Sequence, residues 1–440
     1  MIYILLGLLL LLVVFSFLLN GRDIIAPAVL FSVSITIGVL FASFYVKKWE
    51  LYLHMNTFLV LLLGVLEFII VCFLVNKLTI FRINDKNYDL TWKPQLIHIE
   101  KSMALLYILF EVIAIYYSIH AIVRLFNGSM SHFTESTLRY RDQNMFTSAK
   151  VALPKLASYA RAIVDAGGYW FGYVLINNYF VNRKINYNYV IIVLLSATSS
   201  YLIGGRNGII SMIIVLICSW FIISNKASSY LKTVKMSTII KLLVLTIVVL
   251  SSFESLAFLI GRTGFKSAQG IDYLAVYIGA PIKNLDTFLQ GPLYKQSGFE
   301  SQTFINLMNF IGPKLHLTNR IIVLDLPFRY VGTLTLGNVY TTFYAFIYDF
   351  GYKGVVILVA LMAFISQSVY EFVRNSKRKL YPSYSNLIYA FMANTLVMSF
   401  FSNKFYEQIF NKGFVRMLII WGIFNVVFCR IVFRQKSTVK

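Results

Sequence analysis

YNYVIIVLLSATSSYLIGGRNGIISMIIVLICSWFIIS, residues 187–224, is the stretch whose reading decides the fold. Two apolar runs, 187–203 and 208–224, each approach the length of a membrane-crossing helix, and only Gly204, Gly205, Arg206, Asn207 and Gly208 separate them. An arginine costs about 2.5–3.5 kcal/mol at the centre of a membrane helix and less toward the interface. Glycines on both sides let the backbone turn tightly and approach whatever the guanidinium holds. The ligand that suits such an arrangement is a phosphate.

The same pattern repeats along the chain. With 58% hydrophobic residues, 13% charged residues and a mean hydropathy of +0.71, a soluble protein of this length could not hide its apolar surface. Apolar segments fall at 2–19, 25–46, 55–76, 103–127, 157–180, 187–203, 208–224, 238–260, 353–372, 384–400 and 413–431. They predict an all-α polytopic membrane protein with about 11–12 transmembrane helices, and the period-two alternation of a membrane barrel is absent. The short apolar tract 337–350 is expected as a re-entrant or partial helix. The first span has no basic flank and no cleavage site, so it reads as a retained helix.

Basic residues cluster in short loops at Lys77–Lys101, Arg183–Lys184, Lys226–Lys241 and Arg374–Lys379, and in the C-terminal tail. Counting spans places all five on one side, which their density makes the cytoplasmic side. The Gly204–Gly208 turn, residues 128–156 and the long segment 261–352 then face outward. Three regions follow: an N-terminal bundle over 1–260, an outer cap over 261–352, and C-terminal helices over 353–440. The cap is rich in aromatic residues, which argues against disorder and for a layer of interfacial helices. The +22 net charge is spread over loops without a nucleic-acid motif, so it reads as membrane-related. Cys72, Cys218 and Cys429 all lie in spans, with no disulfide or metal spacing.

Arg139, Arg141, Arg161, Arg206, Arg262, Arg320 and Arg329 remain on the outer side, where few are expected. Guanidinium groups fork onto phosphate oxygens and keep their charge near lipid. Arg206 stands at the start of a helix, and Arg262 sits in Gly261-Arg262-Thr263-Gly264, just after another span ends; both are expected to bind an anion. Headgroup anchoring is the alternative for any of the set. For the proton acceptor the preferred candidate is His316, the only histidine of the cap, with Asp286, Asp349 and Glu407 as rivals. Asp349 equally suits an N-cap, and Arg161 with Asp165 suits a structural ion pair. Glu111, His120 and Glu254 are further polar residues within spans. No paired acids on the outer loops offer a divalent-metal site, and no cofactor motif is present.

Asp23-Ile24-Ile25-Ala26-Pro27 resembles an early signature of bacterial oligosaccharide repeat-unit polymerases, the Wzy-type O-antigen polymerases. The outward Gly204–Gly208 turn is similar to another recurrent feature of that family. So is the late tract Gly337-Asn338-Val339-Tyr340-Thr341, with Tyr348-Asp349-Phe350-Gly351 and Gly354 after it. The resemblance covers the whole chain in span number and in the position of the long outer segment. It implies transfer of a growing glycan from undecaprenyl diphosphate to the next carrier-linked repeat unit, on the periplasmic face of the bacterial inner membrane. It further implies a fold related to metal-independent GT-C-type glycosyltransferases and O-antigen ligases, and a chain-length-regulating co-polymerase as a partner. On this sequence the implied diphosphate ligands are Arg206, with Asn207, Arg262 and Arg329. Asn338, Tyr340 and Asp349 line the late motif, and Tyr273, Tyr277 and Tyr330 are candidates to stack on sugars. The Arg-x10-Gly repeats of some members do not occur at Arg139, Arg206, Arg262, Arg320 or Arg329.

The expected chemistry is an inverting glycosyl transfer: His316 takes the acceptor's proton while Arg206 and Arg262 hold the departing diphosphate, without metal or cofactor. A ligase moving finished glycan shares these requirements. A flippase or transporter for lipid-linked sugars is the alternative from another class, and it would want two pseudo-symmetric halves, which are not evident.

Overall fold

The computed structural model describes residues 1–78, 94–202, 206–228, 271–291, 302–317, 321–375 and 383–437, with side chains excepted at 145, 146, 206, 271 and 429–437. The expected span 238–260, Glu254, Arg262, Arg320, Gly204, Gly205 and the Arg206 side chain lie outside the described residues. In chain order the helices are α1 (Ile2–Leu19), α2 (Pro27–Phe44), α3 (Met55–Lys77), α4 (Lys101–Leu125), α5 (Phe133–Phe146), α6 (Lys155–Asn182), α7 (Tyr187–Leu202) and α8 (Arg206–Ala227). There follow α9 (Ile271–Ile278), α10 (Ala280–Gln290), α11 (Ile305–Ile311), α12 (Thr342–Asn375), α13 (Tyr384–Val397), α14 (Lys404–Ile409) and α15 (Lys412–Ser437). A hairpin of β1 (Arg329–Val331) and β2 (Leu334–Gly337) precedes α12.

Among the described residues six helices, α1, α2, α3, α4, α8 and α12, are long and apolar enough to cross a membrane, as expected of an all-α polytopic membrane protein. The segments expected to span at 157–180, 187–203, 384–400 and 413–431 are helical as well, but shorter or more polar. Helix α7 has 16 residues and α13 has 14, while α6 carries Lys155, Arg161 and Asp165.

The partial helix expected at 337–350 is present over residues 342–350, set off by a kink from the apolar helix that follows. It is the first part of α12, which runs 34 residues through a break at Gly351 (φ 63°, ψ −160°). At about 1.5 Å per residue the 24 residues after the break extend about 36 Å, enough for the roughly 30 Å hydrocarbon core, which leaves residues 342–350 in excess. The excess, before Gly351, packs among cap residues. That backbone conformation is open essentially to glycine alone, and forcing another residue into it costs of order 1–3 kcal/mol. Gly351→Ala is therefore expected to lower the melting temperature of the detergent-solubilised protein.

The chain groups into two compact units that are not linear in sequence. The first comprises Met1–Ile83, Thr233–Asn375 and Thr395–Asn411, so the cap folds with the first three spans and α12. Its core stacks Phe31 on Phe68 at 4.3 Å between centroids, with the Phe343 edge at 6.1 Å. The cap is seated by three contacts. At Gly279, between α9 and α10, a Cβ would lie 2.7 Å from the Ala42 nitrogen and 2.9 Å from the Phe41 carbonyl carbon, so only glycine permits this approach to α2. The Asp286 carboxylate of α10 caps α3, accepting the His54 amide at 3.0 Å and the Thr57 hydroxyl at 2.6 Å. Lys48 and Tyr45 both bond Asp272 of α9, at 2.6 and 2.8 Å, and these bonds, Lys48 first, hold its carboxyl below the usual range. At the other end of the unit, Asp23 accepts the Ile25 amide and the Tyr370 hydroxyl, tying the turn before α2 to the far part of α12.

The second unit comprises Asn84–Lys232, Ser376–Asn394 and Lys412–Lys440. Its core centres on α6 and α15. The Trp170 indole donates to Asn425 at 2.8 Å and the Trp421 indole to the Ala166 carbonyl at 2.9 Å, so both large rings are buried with their N–H satisfied. Glu111 of α4 is fully buried, and among the described residues neither carboxyl oxygen has a hydrogen-bond partner. Within each unit, the end-to-end contacts join segments that span counting puts on one side. Examples are His54 with Asp286, Asn306 with the Glu407 carbonyl, and Arg416 with Ser158.

Candidate functional site

Between β2 and the first turns of α12, three tyrosines recur four residues apart, a spacing that aligns side chains on one helical face. Tyr340 and Tyr344 have centroids 4.2 Å apart, and Tyr344 and Tyr348 5.7 Å apart. Phe288 of α10 packs on Tyr344 at 4.6 Å. The three hydroxyls hold the extended segment before β1. Tyr340 donates to the Pro327 carbonyl at 2.8 Å, Tyr344 to the Asp325 carbonyl at 2.7 Å, and Tyr348 to Asp325 Oδ2 at 2.8 Å.

Gln302 closes the network from the other side. Its Oε1 accepts the Asp325 amide at 2.8 Å, and its Nε2 donates to the Val323 carbonyl at 3.2 Å. Its own amide donates to Asp349 Oδ1 at 2.9 Å, and the Thr303 amide to Asp349 Oδ2 at 2.7 Å. Asn284 of α10 steadies β2 by donating to the Val339 carbonyl at 2.8 Å. The segment is thus held at alternate residues, 323, 325, 327 and 329, by side chains of other elements.

Arg329 opens β1, and its Nε donates to the Tyr340 hydroxyl at 3.0 Å. Burial pushes the Tyr340 phenol up, against the opposing pull of the Arg329 charge and hydrogen bond. Arg329 is half-buried, and among the described residues it forms no ion pair. Three of the other arginines expected to face outward lie against acids, whereas Arg416, on that side by the same span counting, meets only the Ser158 hydroxyl and the Tyr159 ring among the described residues. Arg139 meets Glu135 at 2.6 Å, Arg141 pairs with Asp142, and Arg161 lies 3.8 Å from Asp165. With Nε committed to a neutral phenol, Arg329 keeps its full charge and both terminal nitrogens for an anion.

The other expected residues are placed as follows. The described part of α8 runs from Arg206, and Asn207 after it is exposed. Asp349, expected one turn before a helix start near 353, stands two residues before the Gly351 break after which the second part of α12 begins, and it is fully buried with both oxygens taken by backbone amides. Asp286 caps α3, and Glu407 pairs with Lys404 at 2.6 Å. His316 is exposed, in a left-handed backbone conformation (φ 55°), with no hydrogen-bond partner among the described residues. Tyr273 is 4% exposed, with its hydroxyl 3.4 Å from that of Tyr277, which leaves its ring little face for a sugar. Tyr277 stacks on Phe401 at 6.2 Å. Tyr330 is 63% exposed beside Arg329, and Asn338 is half-buried at the end of β2.

Asp325, Gln302 and Tyr344 are the network members that sequence reasoning missed. A signal was present: Leu324-Asp325-Leu326-Pro327-Phe328-Arg329 embeds one acid and one base, four apart, in an apolar extended stretch. Among the described residues no three His, Cys, Asp or Glu side chains converge as a metal site. A cavity of about 470 Å³ in the second unit, lined by His98, Lys101, Asn178 and Lys184 among others, contains none of the expected site residues. No family model, curated protein or solved structure matches this chain.

Proposed function

We propose that this chain is a membrane glycosyltransferase that polymerises undecaprenyl-diphosphate-linked oligosaccharide units into surface polysaccharide. In this reading it has an eleven-span organisation like that of metal-independent GT-C-type enzymes, lies in the bacterial inner membrane, and works on the periplasmic face. The reaction is an inverting transfer. The acceptor hydroxyl attacks the anomeric carbon of the donor, the bond to phosphate breaks, and the diphosphate leaves on its lipid with the electron pair. A chain-length-regulating co-polymerase is the expected protein partner.

One observation carries the reading: among the described residues no acid pairs with Arg329 in its tyrosine-lined mount, whereas Arg139, Arg141 and Arg161 lie against acids. A fixed cation without a counter-charge suits a site where negative charge develops on a leaving group. The exposed ring of Tyr330, next along the strand, offers a face for a sugar.

Deleting the gene in its host and resolving surface polysaccharide on a gel tests the proposal. Loss of the ladder, with single repeat units still attached to their acceptor, is the expected result. Polymer accumulating on its carrier with none attached would instead assign a ligase. Repeat units that never reach the outer face would assign a flippase.

A further inference from the structure

We infer that Asp325 is the catalytic base that takes the proton from the acceptor hydroxyl. The inference rests on the transferase reading above and deepens it, because the network that mounts Arg329 also mounts one carboxylate and leaves it open.

A general base needs a carboxylate that is presented, oriented and not consumed by the fold. Most outer acids of the first unit fail that criterion, and Glu50, exposed with its carboxylate unspent, has no hydrogen bond among the described residues to orient it. Asp349 and Asp286 spend their oxygens on backbone amides and the Thr57 hydroxyl, Glu407 is paired with Lys404, and Asp272 with Lys48 and Tyr45. Asp325 is exposed, and Tyr348 donates to one of its oxygens at 2.8 Å. Its amide is bonded to Gln302 at 2.8 Å and its carbonyl to Tyr344 at 2.7 Å, so backbone and carboxylate are both held. Oδ1 carries no hydrogen bond among the described residues. His316, by contrast, has no side-chain partner to orient it.

Asp325 and Arg329 are four residues apart and do not pair, yet both act electrostatically on the same two phenols, Tyr340 and Tyr344. In the extended backbone before β1, four residues span about 13 Å, beyond pairing distance. The tyrosine ladder fixes both groups there, one ready for a proton and the other for phosphate oxygens. In the reaction, Asp325 Oδ1 accepts the hydroxyl proton as the oxygen bonds to the anomeric carbon. The diphosphate departs toward Arg329, and the proton then passes from Asp325 to water.

Full-length Asp325→Asn, in its host and in purified form with lipid-linked repeat units, tests the assignment. The amide oxygen still accepts from Tyr348 and the backbone contacts are untouched, so abundance and melting should match wild type. Turnover should fall about a hundredfold or more, as for loss of a general base, and the residual activity should lose the acid limb of the pH profile. Asp325→Glu should recover part of the rate with a displaced acid limb. Wild-type turnover in Asp325→Asn, or an unmoved acid limb in Asp325→Glu, overturns the inference. Full polymer from Asp325→Asn with none from Arg329→Ala would sink the base alone and leave the transferase reading standing; full polymer from both would sink the two together.

Discussion

Arg329→Ala is expected to abolish polymer while the protein accumulates at its normal level. The fold loses little by the change. Tyr340 keeps its own donation to the Pro327 carbonyl, and the hydrogen bond removed is one that its hydroxyl accepted from Arg329 Nε. The chemistry loses a fixed charge at the leaving group. Removing one preorganised donor from such a site costs roughly 10²–10³ in turnover. Arg329→Lys keeps the charge but not the planar fork, and should retain a small fraction of activity. Arg139→Ala is the matched control, because that guanidinium lies exposed against Glu135 on the same helix, and such a pair contributes about 0–1 kcal/mol. Polysaccharide ladders and immunoblots of the three variants decide the point. Wild-type ladders from Arg329→Ala would remove the observation on which the function is proposed.

Sequence and structure agree where hydropathy alone decides. The spans read at 2–19, 55–76 and 208–224 stand within two or three residues of α1, α3 and α8, since a run of aliphatic residues in lipid has no alternative to a helix. Agreement weakens where polar residues are buried against protein. The tract 337–350 looked too short to stand alone, and hydropathy could not show that Gly351 joins it to the next span with a break. The hairpin was also missed, because Arg329–Gly337 is too short for alternation to register.

The site was legible in part for the same reason. Arg329 and Tyr340 were singled out individually, but the hydrogen bond between them depends on a hairpin that sequence did not reveal. Asp349 drew attention as an isolated acid near a predicted helix start. Its partners, Gln302 and Thr303, lie some forty-six residues earlier, and no local pattern links them. Asp325 was overlooked because a single acid between leucines carries no motif; only its non-local partners, Gln302 and Tyr348, give it a role.

Asp349→Ala should act through the fold, and its signature should differ from that of Arg329→Ala. The wild-type carboxylate, fully buried, accepts the backbone amides of Gln302 and Thr303. Alanine leaves both N–H groups buried and unsatisfied, at about 1–3 kcal/mol each, so the loss is on the order of 2–6 kcal/mol. A fold whose whole stability is about 5–15 kcal/mol tolerates that poorly. The damage would not stay local, because Gln302 also holds Asp325 and Val323, and the Asp325 segment carries Arg329 to its mount. Abundance and polymer are therefore expected to fall together, with a lower melting temperature in detergent. Asp349→Asn, which keeps one acceptor oxygen and replaces the other by a donor facing an amide, should lie between. The comparison separates structure from catalysis: an Asp349→Ala protein that accumulates and melts like wild type but makes no polymer would return this carboxylate to the reaction itself.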